Sequence, residues 1–246
     1  MKIAVCVKAV PDAATGRRLD ASSHRLDRSG ELTLSDFDTH PVEEALKLRD
    51  AAGDGEVVIV SMGPEKAMDA LRKALAMGAD RAVLVSDDAL AGSDLVGTSK
   101  ALAGALEKEG ADLVLFGQQS ADGDGACLWA AVAERLRQPT ISQVSELGVD
   151  GGNVTGKRQT EFGYDTIRAP MPAVVAVSDA INEPRYPSLK GIMGAKKKPQ
   201  DVLDLAAIGA DVGAVGDAGS RTTVLELLDP PPRGESRRIE GDGNAA

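Results

Sequence analysis

The chain has 246 residues, 43% of them hydrophobic, which is enough for one large core or two small ones. Its formal charge of -10 argues against nucleic acid as the main partner, because phosphate neutralisation needs a concentrated basic face and the run Lys196-Lys197-Lys198 is too short to supply one. Cys6 and Cys127 stand far apart and form neither a metal-ligand pattern nor a disulfide framework, so no metal site is expected and both read as reduced thiols.

At the N-terminus, Met1-Lys2 passes directly into IAVCVK without the architecture of a secretory signal. Nowhere do about 18 apolar residues run together, so the expectation is a cytoplasmic protein without membrane insertion. Short apolar runs bounded by turn residues at 3–7, 57–60, 82–85, 113–116 and 173–177 read as strands buried on both faces. Between them lie segments with helical spacing: Val42, Ala45 and Leu46; Met68, Leu71 and Leu75; Leu95, Leu102 and Leu106; Leu128, Val132 and Leu136. Pro64 and the pair Ser93-Asp94 are helix-start signals. Only Phe37, Phe116, Trp129, Phe162, Tyr164 and Tyr186 are aromatic, so the core is built from Val, Leu, Ile and Ala in regular layers. Strand alternating with helix at this rhythm predicts an α/β fold with a doubly wound, mainly parallel sheet.

Two stretches break the rhythm, 17–34 and 153–169, and read as appended hairpins that pack on a second subunit. After Leu205 the chain turns rich in Gly, Ala and Asp, then reaches Asp229-Pro230-Pro231-Pro232 and a polar end. The organisation expected is therefore one domain over 1–205 and an arm over 206–246, ordered only against a partner or disordered at its tip.

Open parallel sheets bind ligands beyond the carboxyl ends of their strands, so the informative residues follow each strand. After the fourth predicted strand comes GQQSADGDGA, from Gly117 to Ala126, leading into a helix whose first free N–H groups are expected near Ala126, Cys127 and Leu128. Such a terminus favours an anion, although glycine before a helix is more commonly plain turn chemistry. There is no GxGxxG and no GxxxxGK[ST] motif. His40 reads as a surface histidine before a helix rather than an acid–base catalyst. In NEPRYPSLKGIMGAKKK, residues 182–198, Pro184 and Pro187 hold the segment out of helix and sheet-interior geometry. This places Tyr186, Leu189, Ile192 and Met193 on a surface loop that faces a partner, unless those side chains fold back on the core.

These stretches occur in one order: KAVPD near the start, VEEAL, ALAMGAD, GQQSADGD, PAVVAV and the segment 182–198. Together they resemble the beta subunits of electron-transfer flavoproteins over nearly the whole chain. The resemblance implies a Rossmann-like, adenine-nucleotide-binding fold and a heterodimer whose alpha subunit supplies most of the FAD site. It implies an electron carrier, not an enzyme, serving flavin dehydrogenases such as acyl-CoA dehydrogenases and passing electrons to an electron-transfer flavoprotein-quinone oxidoreductase. It further implies a structural AMP held by Gly117, Asp122, Gly123, Asp124, Gly125, Ala126, Cys127 and Leu128, with Cys6, Ser35 and Met62 in the adenine pocket. Side-chain donors often found in this family are replaced here at Gly125, Cys127, Leu128 and Trp129, so backbone donation has to suffice. Phe37 matches an aromatic that approaches the flavin, and Ala13 stands where some members have Tyr. Asp165 matches an acid that contacts the mobile FAD domain; otherwise it is a solvated hairpin carboxylate. Leu189 takes the place of an aliphatic anchor that docks into dehydrogenases. Cys6 also reads as a small core residue between Val5 and Val7. Two other readings stay open: a bifurcating flavoprotein with a second FAD in the AMP place, and a stand-alone nucleotide-binding regulator.

Overall fold

The computed structural model of the chain describes residues 1–12, 14, 18–228, 231 and 234. Ala13, the first residue of the hairpin expected at 17–34, and most of the tail from Asp229 onward lie outside the described residues.

The elements run β1 (Lys2–Cys6), β2 (Ala9–Pro11), β3 (Leu19–Asp20), β4 (Arg25–Leu26), β5 (Leu32–Leu34), α1 (Asp36–Ala52), β6 (Glu56–Met62), α2 (Ala67–Met77) and β7 (Arg81–Val85). They continue with α3 (Leu95–Glu109), β8 (Leu113–Gly117), α4 (Leu128–Leu136), β9 (Thr140–Asp150), β10 (Asn153–Thr160), β11 (Gly163–Pro170), β12 (Ala173–Val177), α5 (Leu189–Ala195), β13 (Gln200–Leu203) and α6 (Gly216–Gly219). The main sheet has the order β11-β10-β9-β12-β8-β1-β6-β7-β13. Every pairing from β9 across to β13 is parallel, while β10 and β11 extend the β9 edge as an antiparallel meander. This is the doubly wound, mainly parallel α/β fold that the strand–helix rhythm predicts.

Alternation along the strands sends side chains into two cores. Ile3, Val5, Val57, Ile59, Leu113, Leu115 and Val175 face α1 and α2, whereas Ala4, Cys6, Val58, Val60, Val114, Phe116 and Val174 face α3 and α4. Each fully buried Ile or Leu contributes roughly 1.5–3 kcal/mol from removed apolar surface, so the sheet needs no aromatic mass to hold together. Helix boundaries follow their local chemistry. Asp94 caps α3 by accepting from the Gly97 amide at 3.0 Å, and Gly110 ends it in the left-handed region. Pro64 opens the turn that runs into α2, with Ala67 N–H bonded to its carbonyl at 2.8 Å.

Several elements differ from the sequence expectation. The stretch 153–169 is a hairpin, but it is paired through β9, a strand whose alternating exposure hid it. The stretch 17–34 contains the two-residue ribbon β3–β4, while β5 pairs with β2 instead. Residues 189–195 form the helix α5 rather than a loop: Pro184 and Pro187 lie ahead of it, where Ser188 caps its first turn through the Gly191 amide at 3.0 Å. Beyond β13, residues 206–219 lie along α3, with Lys100 Nζ donating to the Ala214 carbonyl at 3.0 Å and Val215 buried. No described helix is long and apolar enough to cross a membrane.

Candidate functional site: a switch-point crevice and an exposed helix

Strand order reverses at β1, which pairs with β6 on one side and β8 on the other, leaving a crevice beyond the ends of β1 and β8. Three pieces of chain meet there: Lys8 after β1, the first turn of α1, and the loop after β8. Lys8 hydrogen-bonds through its carbonyl to the Ser35 amide at 3.0 Å and through its amide to Asp38 Oδ2 at 2.7 Å. Ser35 is buried at the N-cap of α1, and its hydroxyl accepts from the Ala121 amide at 3.4 Å. Pro41 has no N–H to donate to the Phe37 carbonyl one turn back. That carbonyl and Asp38 Oδ1 press on Gly117, where a Cβ would stand 2.8 Å from each, so only glycine fits at the end of β8.

Two acids in the crevice are held in opposite states. Burial pushes the Asp38 carboxyl up to about 7 and the negative charge of Asp122 adds to this, against the Lys8 amide, the Lys8 charge and the Gly117 backbone, which favour ionisation. Asp122 is also nearly buried, yet the hydrogen bonds and charges of Lys8 and Arg28 outweigh that burial and hold it down at about 2. Its partners are Lys8 Nζ at 2.8 Å and the Arg28 guanidinium, which also donates to the Ala9 carbonyl at 3.0 Å. Asp122 thus fastens the loop after β8 to the segment carrying Arg28. Asp122 offsets one of the two positive charges of Lys8 and Arg28, and the remaining charge adds to what backbone amides offer an anion.

Those amides lie at the start of α4. Gly123, Asp124, Gly125, Ala126 and Cys127 form an exposed loop, turned by the Asp124 amide bonding to the Ser120 carbonyl at 3.0 Å with Asp124 in the left-handed region. The first helical bond runs from the Ala131 amide to the Cys127 carbonyl at 3.2 Å. The amides preceding this ladder are therefore those of Leu128, Trp129 and Ala130, two residues later than the sequence suggests, and Cys127 supplies no side-chain cap. Two buried polar atoms have no partner here: Ser61 Oγ on β6, and Trp129 Nε1 in the first turn of α4, whose side chain packs against the core on the α3–α4 side.

Of the other adenine-pocket residues, Cys6 is buried beside Val60 and Phe116, and burial, then the charge of Asp38, push its thiol well up, so it is neutral and packs as a core residue. Met62 is partly buried at the end of β6. Phe37 lies partly buried in the first turn of α1. Asp165 stands well away along the meander, exposed and paired with Arg158 at 2.7 Å, next to Tyr164, whose neighbour Lys157 sits over its ring at 4.6 Å.

The segment 182–195 forms a second feature. Leu189 is 75% exposed and Met193 71%, with Tyr186 and Ile192 also exposed, so the four side chains do not fold back on the core. A groove of about 420 Å³ runs beside Ile192 and Pro187, closed by Arg72, Lys73 and Ala76 of α2. His40 is not ahead of a helix but within α1, where its Nδ1 donates to the Asn182 carbonyl at 3.1 Å. Sequence reasoning missed Lys8, Arg28 and Asp38 in the crevice, and Glu43 and Arg185 behind the segment. Only a buried acid in the first turn of a helix, DFD before VEEAL, could have signalled Asp38.

The fold and crevice define a doubly wound α/β protein of the Rossmann-like class, with an exposed apolar helix outside the crevice. Its sequence matches the electron transfer flavoprotein domain over residues 24–208. It is 43% identical to the electron transfer flavoprotein subunit beta of Mycobacterium tuberculosis (strain ATCC 25618 / H37Rv) and 44% identical to that of Mycobacterium leprae (strain TN), in each case over 98% of this chain and 94% of the relative. It is 39% identical to the corresponding subunit of Megasphaera elsdenii, over 100% of this chain and 94% of the relative. The chain belongs to the beta-subunit family of electron-transfer flavoproteins.

Proposed function

We propose that this chain is the beta subunit of a heterodimeric electron carrier, taking electrons from flavin dehydrogenases such as acyl-CoA dehydrogenases and passing them through FAD to a respiratory-chain quinone oxidoreductase. The observation that carries the reading is the exposed apolar face of α5. Leu189 and Met193 stand in water on a helix that is anchored to the body of the protein, which is unfavourable for a chain alone and apt for docking. An alpha subunit supplies most of the FAD site, and FAD supplies the electron chemistry when bound. The chain's own residues dock, orient and exclude water. In this reading Phe37, partly buried in the first turn of α1, approaches the flavin, and the exposed Asp165 contacts the domain that carries it. The exposed side chains of Val224, Leu225 and Leu228 give the arm 206–246 an apolar surface for the alpha subunit.

The crevice suits AMP. A phosphate is met by the amides of Leu128, Trp129 and Ala130, and the positive end of α4 reinforces them. The orphaned Ser61 hydroxyl and Trp129 indole N–H offer polar partners that the protein leaves unused. Lys8 and Arg28, both committed to Asp122, keep that carboxylate from repelling the ligand. The test is to co-express the chain with an FAD-bearing alpha subunit, denature the complex and identify the released nucleotides by chromatography and mass. One FAD and one AMP per heterodimer are expected. Two flavins would move the chain to the bifurcating class, and no nucleotide beyond one FAD would remove the AMP site.

A further inference from the structure

A helix of seven residues is too short to persist in water by itself, so α5 has to be held in place by its surroundings. The helix itself is held by α2, from its first turn to the residues just after it. Gly191 packs so closely on the Ala76 carbonyl that a Cβ there would collide with it, and Lys198 Nζ donates to the Leu75 carbonyl at 2.9 Å and to the Ala79 carbonyl. The segment leading into it is held by one face of α1, on which His40, Glu43, Lys47 and Asp50 follow at helical spacing. Asn182 and His40 exchange bonds: Asn182 Nδ2 donates to the His40 carbonyl at 3.0 Å, and His40 Nδ1 to the Asn182 carbonyl at 3.1 Å. Asn182 Nδ2 also reaches Glu44 Oε2 at 3.0 Å, an oxygen shared with Lys47 at 2.8 Å.

The strongest tie is between Glu43 and Arg185, four residues before Leu189. Glu43 Oε2 accepts from the Arg185 backbone amide at 3.1 Å and from Nε at 2.8 Å, while Oε1 accepts from a terminal guanidinium nitrogen at 3.1 Å. Asp50 takes both terminal nitrogens at 3.3 Å. The Glu43 side chain is only 8% exposed, so its charge depends on this fork for compensation, and a lysine could not reproduce the paired geometry. Glu43 is almost wholly covered by the segment, so its substitution acts through the segment.

We infer that the Glu43–Arg185 clamp, with Asn182 and His40 beside it, positions the α5 docking helix in its binding-ready form before any partner arrives. The inference rests on the docking role given to α5 above. Ordering the helix in advance removes an entropy cost from association, so the clamp acts on affinity and leaves electron transfer within the complex alone. Glu43 and Arg185 are positioning residues.

The experiment compares the heterodimer carrying wild type, Glu43→Gln, Arg185→Lys and Leu189→Ala as electron acceptor for a substrate-reduced flavin dehydrogenase. Amide hydrogen exchange over residues 182–195 is followed on the same samples without dehydrogenase. Glu43→Gln is expected to speed exchange in this stretch and raise KM for the heterodimer about tenfold, with maximal rate and flavin content unchanged. Arg185→Lys, which keeps the charge but not the fork, is expected to lie between it and wild type. If Glu43→Gln leaves exchange unchanged, or leaves KM unchanged while Leu189→Ala raises it, the clamp is refuted. If Leu189→Ala itself leaves KM unchanged, the docking role fails, and the exchange measurement alone decides whether the clamp orders α5.

Discussion

Asp38 has almost no water in which to ionise, sits 2.7 Å from the Lys8 amide and shares its crevice with the charge of Asp122. Its carboxyl titrates at about 7 in the fold against 3.8 for an ordinary aspartate, so between those values the native state binds a proton that the unfolded chain has released. The resulting stability is full below 3.8 and is lost as pH rises through about 7. Asp122 behaves in the opposite sense: held at about 2, it stabilises above its ordinary value, and that contribution is lost as pH falls through 2. Chemical denaturation of the heterodimer is expected to show stability decreasing from pH 4 to pH 7, with Asp38→Asn flattening this slope. An unchanged slope would mean that Asp38 is ionised throughout. Neither acid's state was legible in the sequence, because burial and charge neighbours come from Lys8, Arg28 and Gly117, which lie far apart along the chain. Cys6 was legible in part: its alternation with Val5 and Val7 marks a strand, and the fold then assigns it to the core.

Helix α4 shows what periodicity conveys and where it stops. The spacing of Leu128, Val132 and Leu136 located the helix, yet its first turn begins at Leu128 rather than near Ala126, since no Ser, Thr, Asp or Asn caps it and the loop before it closes through Asp124 and Ser120. The parallel strands were readable as short apolar runs because both of their faces are buried. β9 and β13 were not, since one shows half-exposed alternation and the other is a short exposed edge. α5 was missed because Pro184 and Pro187 suggest a loop, whereas the helix begins only after Ser188. At the loop before α4, Gly125→Pro fixes φ three residues ahead of the donors at Leu128, Trp129 and Ala130 and disfavours the left-handed conformation of Asp124 before it, so it redirects the loop that delivers those amides. It is expected to weaken AMP retention by about tenfold or more, while Cys127→Ser, which leaves every backbone donor in place, is expected to be close to neutral. Equilibrium dialysis with AMP on nucleotide-stripped heterodimer distinguishes them, and equal losses would contradict backbone recognition.

Across the described residues, several strongly exposed apolar side chains fall on the surfaces that the proposed function gives to partners. Phe162 and Tyr164 lie on the meander, Tyr186, Leu189 and Met193 on the segment around α5, and Leu225 and Leu228 near the start of the arm. The family was legible because its motifs are dispersed along the chain in one order, although no single motif proves it. The supports behind α5 were not, since they join residues 40–50 to residues 182–185 through folding alone. The most direct check is the reduction of the heterodimer's flavin by a substrate-reduced flavin dehydrogenase, followed by absorbance, with thermal melting on the same sample. Saturable, dehydrogenase-dependent reduction is predicted, with Leu189→Ala raising KM roughly thirtyfold, as loss of about 2 kcal/mol of docking energy requires, at unchanged melting temperature and flavin content. A heterodimer whose flavin no dehydrogenase reduces, or a Leu189→Ala variant that melts lower yet docks normally, would contradict it.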